Sequence, residues 1–422
     1  MRATRVRRLL LAALPLIPSA AWPQGNPIGP EFRANTFTTA NQGLASVAAD
    51  GSANLVVVWT GSSGQDGSSY GIFGQRYAGG GSAQGPEFRV NSFTPGSQYR
   101  GVVAADALGR FLVVWESAAQ DGSARGIFGQ RYDGFTGVPQ GGEFPVNTYT
   151  TNDQFGPTVT AGPLGGFFVL WHSTGQDGSG FGVFGQRYSS SGVPLGSEFR
   201  VNTFTAGNQF YPSAGADSSG GFVVSWSSLG QDGSGYGIFG QRYDSSGSPL
   251  GGEFRVNTYT TFSQSVSAAA SDGSGNFVIV WASSNQDGQA YGIFGQRFAS
   301  SGTPLGPEFR VNSYTTNAQF IPSVSADSFG NFVVVWQSLG QDGAAEGIFG
   351  QRFQSSGAAL GPEFRVNSYT TSQQVAPIVA ADPSSDFVVV WNSNGQDGQG
   401  SGVFGQRFAP IVPVELTHVG VE

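Results

Sequence analysis

The sequence repeats itself with a period of 55 residues. The phenylalanine of the tetrapeptide FGQR recurs at this spacing, except for one interval of 56. The seven copies are Phe73, Phe128, Phe184, Phe239, Phe294, Phe349 and Phe404. A fixed period of this length is typical of chains in which each repeat folds into one supersecondary unit and packs against its neighbours. We therefore expect an array of seven similar units.

One unit, residues 253–298, contains strand-like runs separated by Gly, Ser, Asn and Asp. In their expected order within a sheet, strand A is SVSAAAS, strand B is NFVIVWAS, strand C is YGIFGQRF, and strand D is the PEFRVNSYT that follows. Short runs bounded by turn-forming residues predict strands, and the 66 glycines of the chain disfavour helices. The sequence therefore predicts an all-β fold.

Strand B is apolar on both of its faces. Successive side chains of a strand point to opposite sides, so Phe277, Ile279 and Trp281 face one way while Val278 and Val280 face the other. A strand that is apolar on both faces needs a packed layer on each side. Seven four-stranded antiparallel sheets stacked in this way predict a closed seven-bladed β-propeller.

The two ends of the repeat region support closure. The region begins with a D-type strand at residues 31–38 and ends with a C-type strand at residues 402–408. We expect the N-terminal D strand to pair with the C-terminal A, B and C strands and so complete the last blade. This pairing removes the exposed edges that an open array would leave.

The repeat region, residues 31–408, is flanked by segments of different composition. Residues 1–21 combine four arginines, an apolar run over 9–17 and small residues at the end, which predicts a cleavable signal peptide. The apolar run is too short to span a membrane, so we expect export to the periplasm, the cell surface or the medium. Residues 22–30 are predicted to be a short linker. Residues 409–422 form a non-repeat tail, predicted to be one more strand, a docking segment or the start of a further region.

Composition restricts the partners. The chain has no cysteine and two histidines, which excludes disulfides and zinc sites of the Cys/His kind. Without residues 1–21, 16 arginines face 28 acidic residues, for a net charge of −12. This charge argues against nucleic acid and anionic membranes as partners.

The FVVVW…QDG…GIFGQRF pattern of residues 31–408 resembles the repeat of a class of uncharacterised secreted bacterial proteins, and more generally of seven-bladed β-propellers. The resemblance implies a fold and an exported location but no activity. The chain lacks the Asp-x-Asp-x-Asp-Gly calcium loop of integrin-type propellers. Its QDG is not followed by the Thr-Trp of the sialidase Asp-box. The functional residues of those two families therefore cannot be transferred.

The QDG motif places one aspartate in each B–C loop. We expect the carboxylate to accept backbone N–H bonds within its own turn, with the following glycine at positive φ. Calcium binding is the alternative, although calcium needs six to eight oxygen ligands and each loop offers one carboxylate. No other cofactor is expected. The aspartates are Asp66, Asp121, Asp177, Asp232, Asp287, Asp342 and Asp397.

Four further repeated residues are predicted to be structural. A glutamine before each strand A is expected to bind loop backbone groups, and a tryptophan at the end of each strand B is expected to fill the space between blades. Arg76 and Glu87, with their equivalents, are expected to form a cross-strand ion pair in each blade.

A ligand site is expected where the blades differ. Aromatic residues vary just before GIFG and just after the glutamine that precedes strand A, and both positions belong to the face formed by the D–A and B–C loops. Exposed aromatic rings suit sugar stacking or a protein partner, whereas packing between blades is the alternative. The candidates are Tyr70, Tyr99, Phe155, Phe181, Tyr236 and Tyr291.

Irregular charges cluster in two adjacent blades. Arg100 and Arg125 belong to one unit and His172 to the next, and we include all three among the candidate ligand-binding residues. The leading hypothesis is a non-enzymatic binding or adhesion module for a glycan or another extracellular partner. A glycoside hydrolase or lyase is the first alternative, and its catalytic carboxylates would be Glu116, Asp121 and Asp153. A structural subunit of an exported assembly is the second alternative.

Overall fold

The computed structural model describes residues 27–62, 64–163, 165–343 and 345–411. These residues form 28 strands and no helix, arranged as seven four-stranded antiparallel sheets. The protein is thus an all-β, seven-bladed propeller, as the sequence predicts. The predicted signal peptide, most of the predicted linker and residues 412–422 lie outside the described residues.

Strand β1 (Pro27–Arg33) comes first, and blade 1 follows it. Blade 1 contains β2 (Gln42–Ala49), β3 (Leu55–Gly61), β4 (Gly71–Tyr77) and β5 (Phe88–Arg89). Blade 2 contains β6 (Gln98–Ala105), β7 (Phe111–Ala118), β8 (Arg125–Tyr132) and β9 (Phe144–Pro145). Blade 3 contains β10 (Gln154–Ala161), β11 (Phe167–Thr174), β12 (Phe181–Tyr188) and β13 (Phe199–Arg200). Blade 4 contains β14 (Gln209–Ala216), β15 (Phe222–Leu229), β16 (Tyr236–Tyr243) and β17 (Phe254–Arg255).

The remaining blades have the same layout. Blade 5 contains β18 (Gln264–Ser271), β19 (Phe277–Ser284), β20 (Tyr291–Phe298) and β21 (Phe309–Arg310). Blade 6 contains β22 (Gln319–Ala326), β23 (Phe332–Leu339), β24 (Glu346–Phe353) and β25 (Phe364–Arg365). Blade 7 contains β26 (Gln374–Ala381), β27 (Phe387–Asn394), β28 (Ser401–Phe408) and the N-terminal β1.

The ring closes through β1, which pairs antiparallel with β28. Phe32 lies opposite Gly405 and Arg33 opposite Phe404, in the same register that Phe88 has opposite Gly74 in blade 1. The predicted closure is confirmed. Strand β1 begins at Pro27, within the segment predicted to be a linker.

The other D strands are shorter than predicted, with two residues each. An asparagine side chain replaces the backbone ladder beyond them. In blade 1, Val90 N donates to Ile72 O at 2.7 Å, and Ile72 N then donates to Asn91 Oδ1, also at 2.7 Å. The chain can therefore turn away toward the next blade without leaving a buried amide unpaired.

The core lies between the blades. Phe277, Ile279 and Trp281 pack with Val223 of blade 4, whereas Val278 and Val280 pack with residues of blade 6. The two-sided packing predicted for strand B is confirmed. All seven repeated tryptophans are fully buried, and they are Trp59, Trp115, Trp171, Trp226, Trp281, Trp336 and Trp391.

The predicted ion pair between Arg76 and Glu87 is wrong, because the two side chains reach different neighbours. Arg76 Nη2 donates to the carbonyl oxygens of Gly134 and Phe135 in the next blade, at 2.7 and 2.9 Å. Glu87 Oε2 accepts from the backbone N and hydroxyl of Thr36, which follows the D strand of the preceding blade. Each residue thus joins two blades instead of two strands of one blade.

The Glu87 contact is repeated around the whole ring. In each copy the glutamate also accepts a bond from the glutamine of a QDG motif, so it joins a B–C loop to the preceding blade. The seven glutamates are Glu31, Glu87, Glu143, Glu198, Glu253, Glu308 and Glu363. The Glu31 copy bonds to Ser368 and lies at the closure.

The start of the predicted tail is part of the propeller. Ile411 is fully buried against blades 6 and 7, and its N–H donates to Ser385 O at 2.8 Å. Arg352 Nη2 donates to Ala409 O at 3.0 Å. Within the described ranges, no helix is long and apolar enough to cross a membrane.

Candidate functional site

The D–A and B–C connections emerge on one side of the ring, which we call the loop face. The QDG aspartates of this face bind their own turns. Asp66 Oδ1 accepts from Ser68 N at 2.9 Å, and Gly67 has a φ of +87°. The corresponding bond occurs at Asp121, Asp177, Asp232, Asp287 and Asp397. Asp342 accepts from Asn367 Nδ2 at 3.4 Å.

Each B–C loop contains one QDG aspartate. Across the described parts of the chain, no three His, Asp or Glu side chains converge as metal ligands. Asp121, one of the three candidate catalytic carboxylates, makes the same turn contact as Asp66, Asp177, Asp232, Asp287 and Asp397.

The glutamine before each inner strand is buried and holds the D–A loop. Gln98 Nε2 donates to Pro95 O at 3.1 Å, and Gln98 Oε1 accepts from Asn91 Nδ2 at 3.2 Å. Because the same glutamine is fully buried in every blade, we assign it a structural role. The seven are Gln42, Gln98, Gln154, Gln209, Gln264, Gln319 and Gln374.

Every inner strand contains a β-bulge close to the loop face. One residue of each bulge has a φ of +52° to +62°, which is unfavourable for branched side chains such as Val266 and Ile321. The bulge residues are Leu44, Arg100, Gly156, Tyr211, Val266, Ile321 and Ala376. In several copies the bulge N–H donates to the residue that follows the tryptophan in the preceding blade, as Val266 N does to Ser227 Oγ at 3.1 Å.

The residue after the tryptophan is Glu116 in blade 2, and it anchors a charged cluster. Glu116 Oε1 accepts from Gly156 N at 2.9 Å, and Oε2 accepts from Arg125 Nη1 at 3.2 Å. Arg100 Nε lies 3.9 Å from Oε1. Arg125 Nε also donates to Asp153 Oδ1 at 2.9 Å. The Glu116 side chain is 3% exposed, whereas those of Arg100 and Arg125 are 40% and 42% exposed.

Aromatic rings extend this cluster into blade 3. The Arg125 guanidinium lies 4.7 Å from the centre of the Phe155 ring, within range for a cation–π contact. The Phe155 ring meets Phe181 edge-on at 5.3 Å and His172 at 3.9 Å.

The contacts continue into blade 4. The centre of the His172 ring lies 6.0 Å from that of Tyr211 and 6.4 Å from that of Phe210. The ring centres of Phe210 and Tyr236 lie 4.9 Å apart. These contacts form one continuous cluster, part exposed and part buried, which we call the blade 2–4 patch. The patch comprises Arg100, Glu116, Arg125, Asp153, Phe155, His172, Phe181, Phe210, Tyr211 and Tyr236.

Burial, together with the smaller effect of the charges of Arg100 and Arg125, lowers the pKa of His172 to about 3. The ring is therefore neutral at physiological pH. It is 1% exposed, and its Nδ1 has no hydrogen-bond partner among the described residues.

This neutral histidine predicts a loss of stability in acid. The unfolded chain takes up a proton below about pH 6.5, whereas the folded protein does so only near about pH 3. The contribution of His172 to the free energy of unfolding is thus fully present above pH 6.5. As the pH falls from 6.5 to about 3, this contribution decreases by about 1.4 kcal/mol per pH unit. We expect His172→Phe to flatten this part of the pH dependence, as measured by urea unfolding at pH 7, 5.5 and 4.5. An unchanged slope would refute the assignment.

The structure separates the remaining predicted residues. Tyr70 and Tyr99 are exposed and form an edge-on pair at 5.5 Å between blades 1 and 2, beside the patch. Tyr291 instead packs with Phe320 against the core between blades 5 and 6. Tyr291 therefore contributes to the packing between these blades, and it remains partly exposed.

Sequence reasoning did not select Tyr211, which is 40% exposed. It occupies the bulge position, as Arg100 does, and this position holds a different residue in every blade. That variation next to an invariant glutamine is the signal that could have identified Tyr211.

Similar structures share the fold. A protein of unknown function from Dyadobacter fermentans matches with a TM-score of 0.51 and 10% identity, over 90% of this chain and 98% of that one. The α-L-arabinanase of Penicillium chrysogenum in complex with arabinobiose matches with a TM-score of 0.51 and 12% identity, over the same shares. No family model matches the sequence, and no curated protein matches it. At these identities the likeness shows the propeller fold alone.

Proposed function

We propose that this chain is an exported, non-enzymatic binding module that recognises a glycan through the blade 2–4 patch. One observation carries the proposal. On the loop face of blade 2, two half-exposed arginines, Arg100 and Arg125, share Glu116, and the Arg125 guanidinium lies against aromatic rings that continue into blades 3 and 4. No other blade has an arginine at either position.

The chemistry of the patch suits a sugar. Aromatic rings bury the apolar faces of sugar rings at low entropic cost, and guanidinium and carboxylate groups bond to hydroxyls. The tyrosines beside the arginines add hydroxyl groups of their own. The fold likeness to an arabinanase with a bound disaccharide adds support at the level of the fold only.

The test is a binding screen of the full chain against neutral and acidic polysaccharides, followed by calorimetry. We expect Tyr211→Ala and Tyr99→Ala each to weaken binding about tenfold, because each removes an exposed ring. Phe329→Ala is the control, since Phe329 is 76% exposed in an A–B turn on the opposite face. Unaltered affinity in both tyrosine variants would place the site elsewhere. Absence of binding across the screen would overturn the proposal.

A glycoside hydrolase is the second candidate, because Glu116 and Asp153 share the guanidinium of Arg125. The same contacts count against catalysis. Glu116 is buried, and its two oxygens are engaged by Arg125 and by the Gly156 amide. We therefore expect no release of reducing sugar from the saccharides that bind. Hydrolysis that Glu116→Gln abolishes would establish the enzyme instead.

A further inference from the structure

Arg100 is the arginine of the patch with the fewest polar contacts from its side chain. Among the described residues, its one ionic contact is that of Nε with Glu116, at 3.9 Å. Arg125, by comparison, donates hydrogen bonds to both Glu116 and Asp153. The two terminal nitrogens of Arg100 are thus available on a side chain that is 40% exposed.

Both the backbone of Arg100 and the carboxylate next to its side chain are held in place by hydrogen bonds. Its backbone has a φ of +53°, and its N–H donates to Thr60 Oγ1 of the preceding blade at 3.1 Å. Glu116, beneath it, is held by Gly156 N and Arg125. The backbone of Arg100 is thus fixed, and its guanidinium, placed by the ionic contact with Glu116 at 3.9 Å, presents paired N–H donors that match the two oxygens of a carboxylate.

Two positive charges lie together on this part of the loop face, although the chain is acidic overall, with a formal charge of −8. The charges of Arg100 and Arg125 both act in the direction that lowers the pKa of the nearby His172. Arg125 is neutralised by its bonds to Glu116 and Asp153, whereas the terminal nitrogens of Arg100 make no ionic contact among the described residues. The other arginines of the repeat region, apart from Arg110, belong to two repeated positions: the arginine of FGQR in strand C and the arginine that follows phenylalanine in strand D. Arg110 lies in an A–B turn on the opposite face.

From these contacts we infer that the blade 2–4 patch binds a sugar that bears a carboxylate, and that the terminal nitrogens of Arg100 read this group. Tyr99, the neighbouring exposed residue, supplies a ring beside it. Glu116 positions Arg100 and does not contact the ligand. The inference rests on the proposed function and specifies its ligand class.

Oligogalacturonates and their methyl esters form a matched pair of probes that differ in the carboxylate charge. With the full chain, calorimetry is expected to show at least tenfold tighter binding of the free acid, since a paired charge-assisted contact is lost in the ester. Arg100→Gln should abolish this preference, and Arg100→Lys should restore part of it. Arg110→Gln is the matched control and should keep the full preference. Alginate oligosaccharides and sialyllactose, run in parallel, distinguish hexuronates from sialic acid as the source of the carboxylate.

The outcomes separate the two proposals. Equal binding of the acid and its ester would overturn the carboxylate inference while glycan binding stands. A preference for the acid that persists in Arg100→Gln, with an unchanged melting temperature, would overturn the role of Arg100. If neither acidic nor neutral saccharides bind, the proposed function itself fails.

Discussion

Trp281→Ala is expected to lower the free energy of unfolding by about 3 to 5 kcal/mol. Trp281 is fully buried and packs against Val223 and Val256 of blade 4. Its indole nitrogen has no hydrogen-bond partner among the described residues, so the substitution removes packing and breaks no polar contact. Alanine would leave a cavity between two rigid sheets, which cannot collapse to fill it.

Urea unfolding at neutral pH measures this loss as a shift in midpoint. Phe329→Ala is a suitable control because it also removes an aromatic ring, but one that is mostly exposed, and its effect should stay within about 0.5 kcal/mol. A loss of less than about 1 kcal/mol for Trp281→Ala would show that the inter-blade core is not the main source of stability.

Gly156→Ala is expected to destabilise the protein by about 3 kcal/mol, chiefly through a collision. A Cβ at this position would overlap the His172 ring of the same blade. The backbone alone does not exclude alanine, because Ala376 occupies the equivalent bulge of blade 7 with a φ of +54°. The glycine of blade 3 is therefore required by the histidine that lies over it.

A double-mutant cycle tests this explanation. In a His172→Ala background the collision disappears, and Gly156→Ala should then cost about 1 to 2 kcal/mol, the ordinary penalty of a left-handed backbone. The coupling should appear in both thermal and urea unfolding. Equal costs in the two backgrounds would mean that backbone strain, not the His172 ring, dictates glycine at this position.

The periodic elements of the fold could be predicted from the sequence because one pattern repeats seven times. The apolar alternation around Trp281 correctly predicted packing on both faces, and the unpaired end strands correctly predicted closure. The Arg76–Glu87 pair failed because sequence order does not show how far a long side chain reaches. Both residues extend past their own strands to neighbouring blades.

The candidate site was only partly predictable. The charged exceptions Arg100, Glu116 and Arg125 were recognised from the repeat, and the structure brings them together. Phe155 and His172 meet because adjacent strands of one blade place them opposite each other. The positive φ of the bulge that presents Arg100 and Tyr211 is not tied to one residue type, and only the variation at this position, two residues after an invariant glutamine, marks it in the sequence.

The pairing of β1 with β28 has a consequence for the order of folding. Asn35 and Val403 share a hydrogen bond although they are 368 positions apart in the chain. Because β1 is synthesised long before β28, its partner does not yet exist while blades 1 to 6 can already form from local segments. During synthesis, ring closure therefore follows the formation of blades 1 to 6. Any chain that stops short of β28 leaves an unpaired β1 and an open blade at opposite ends, ready to pair with other chains.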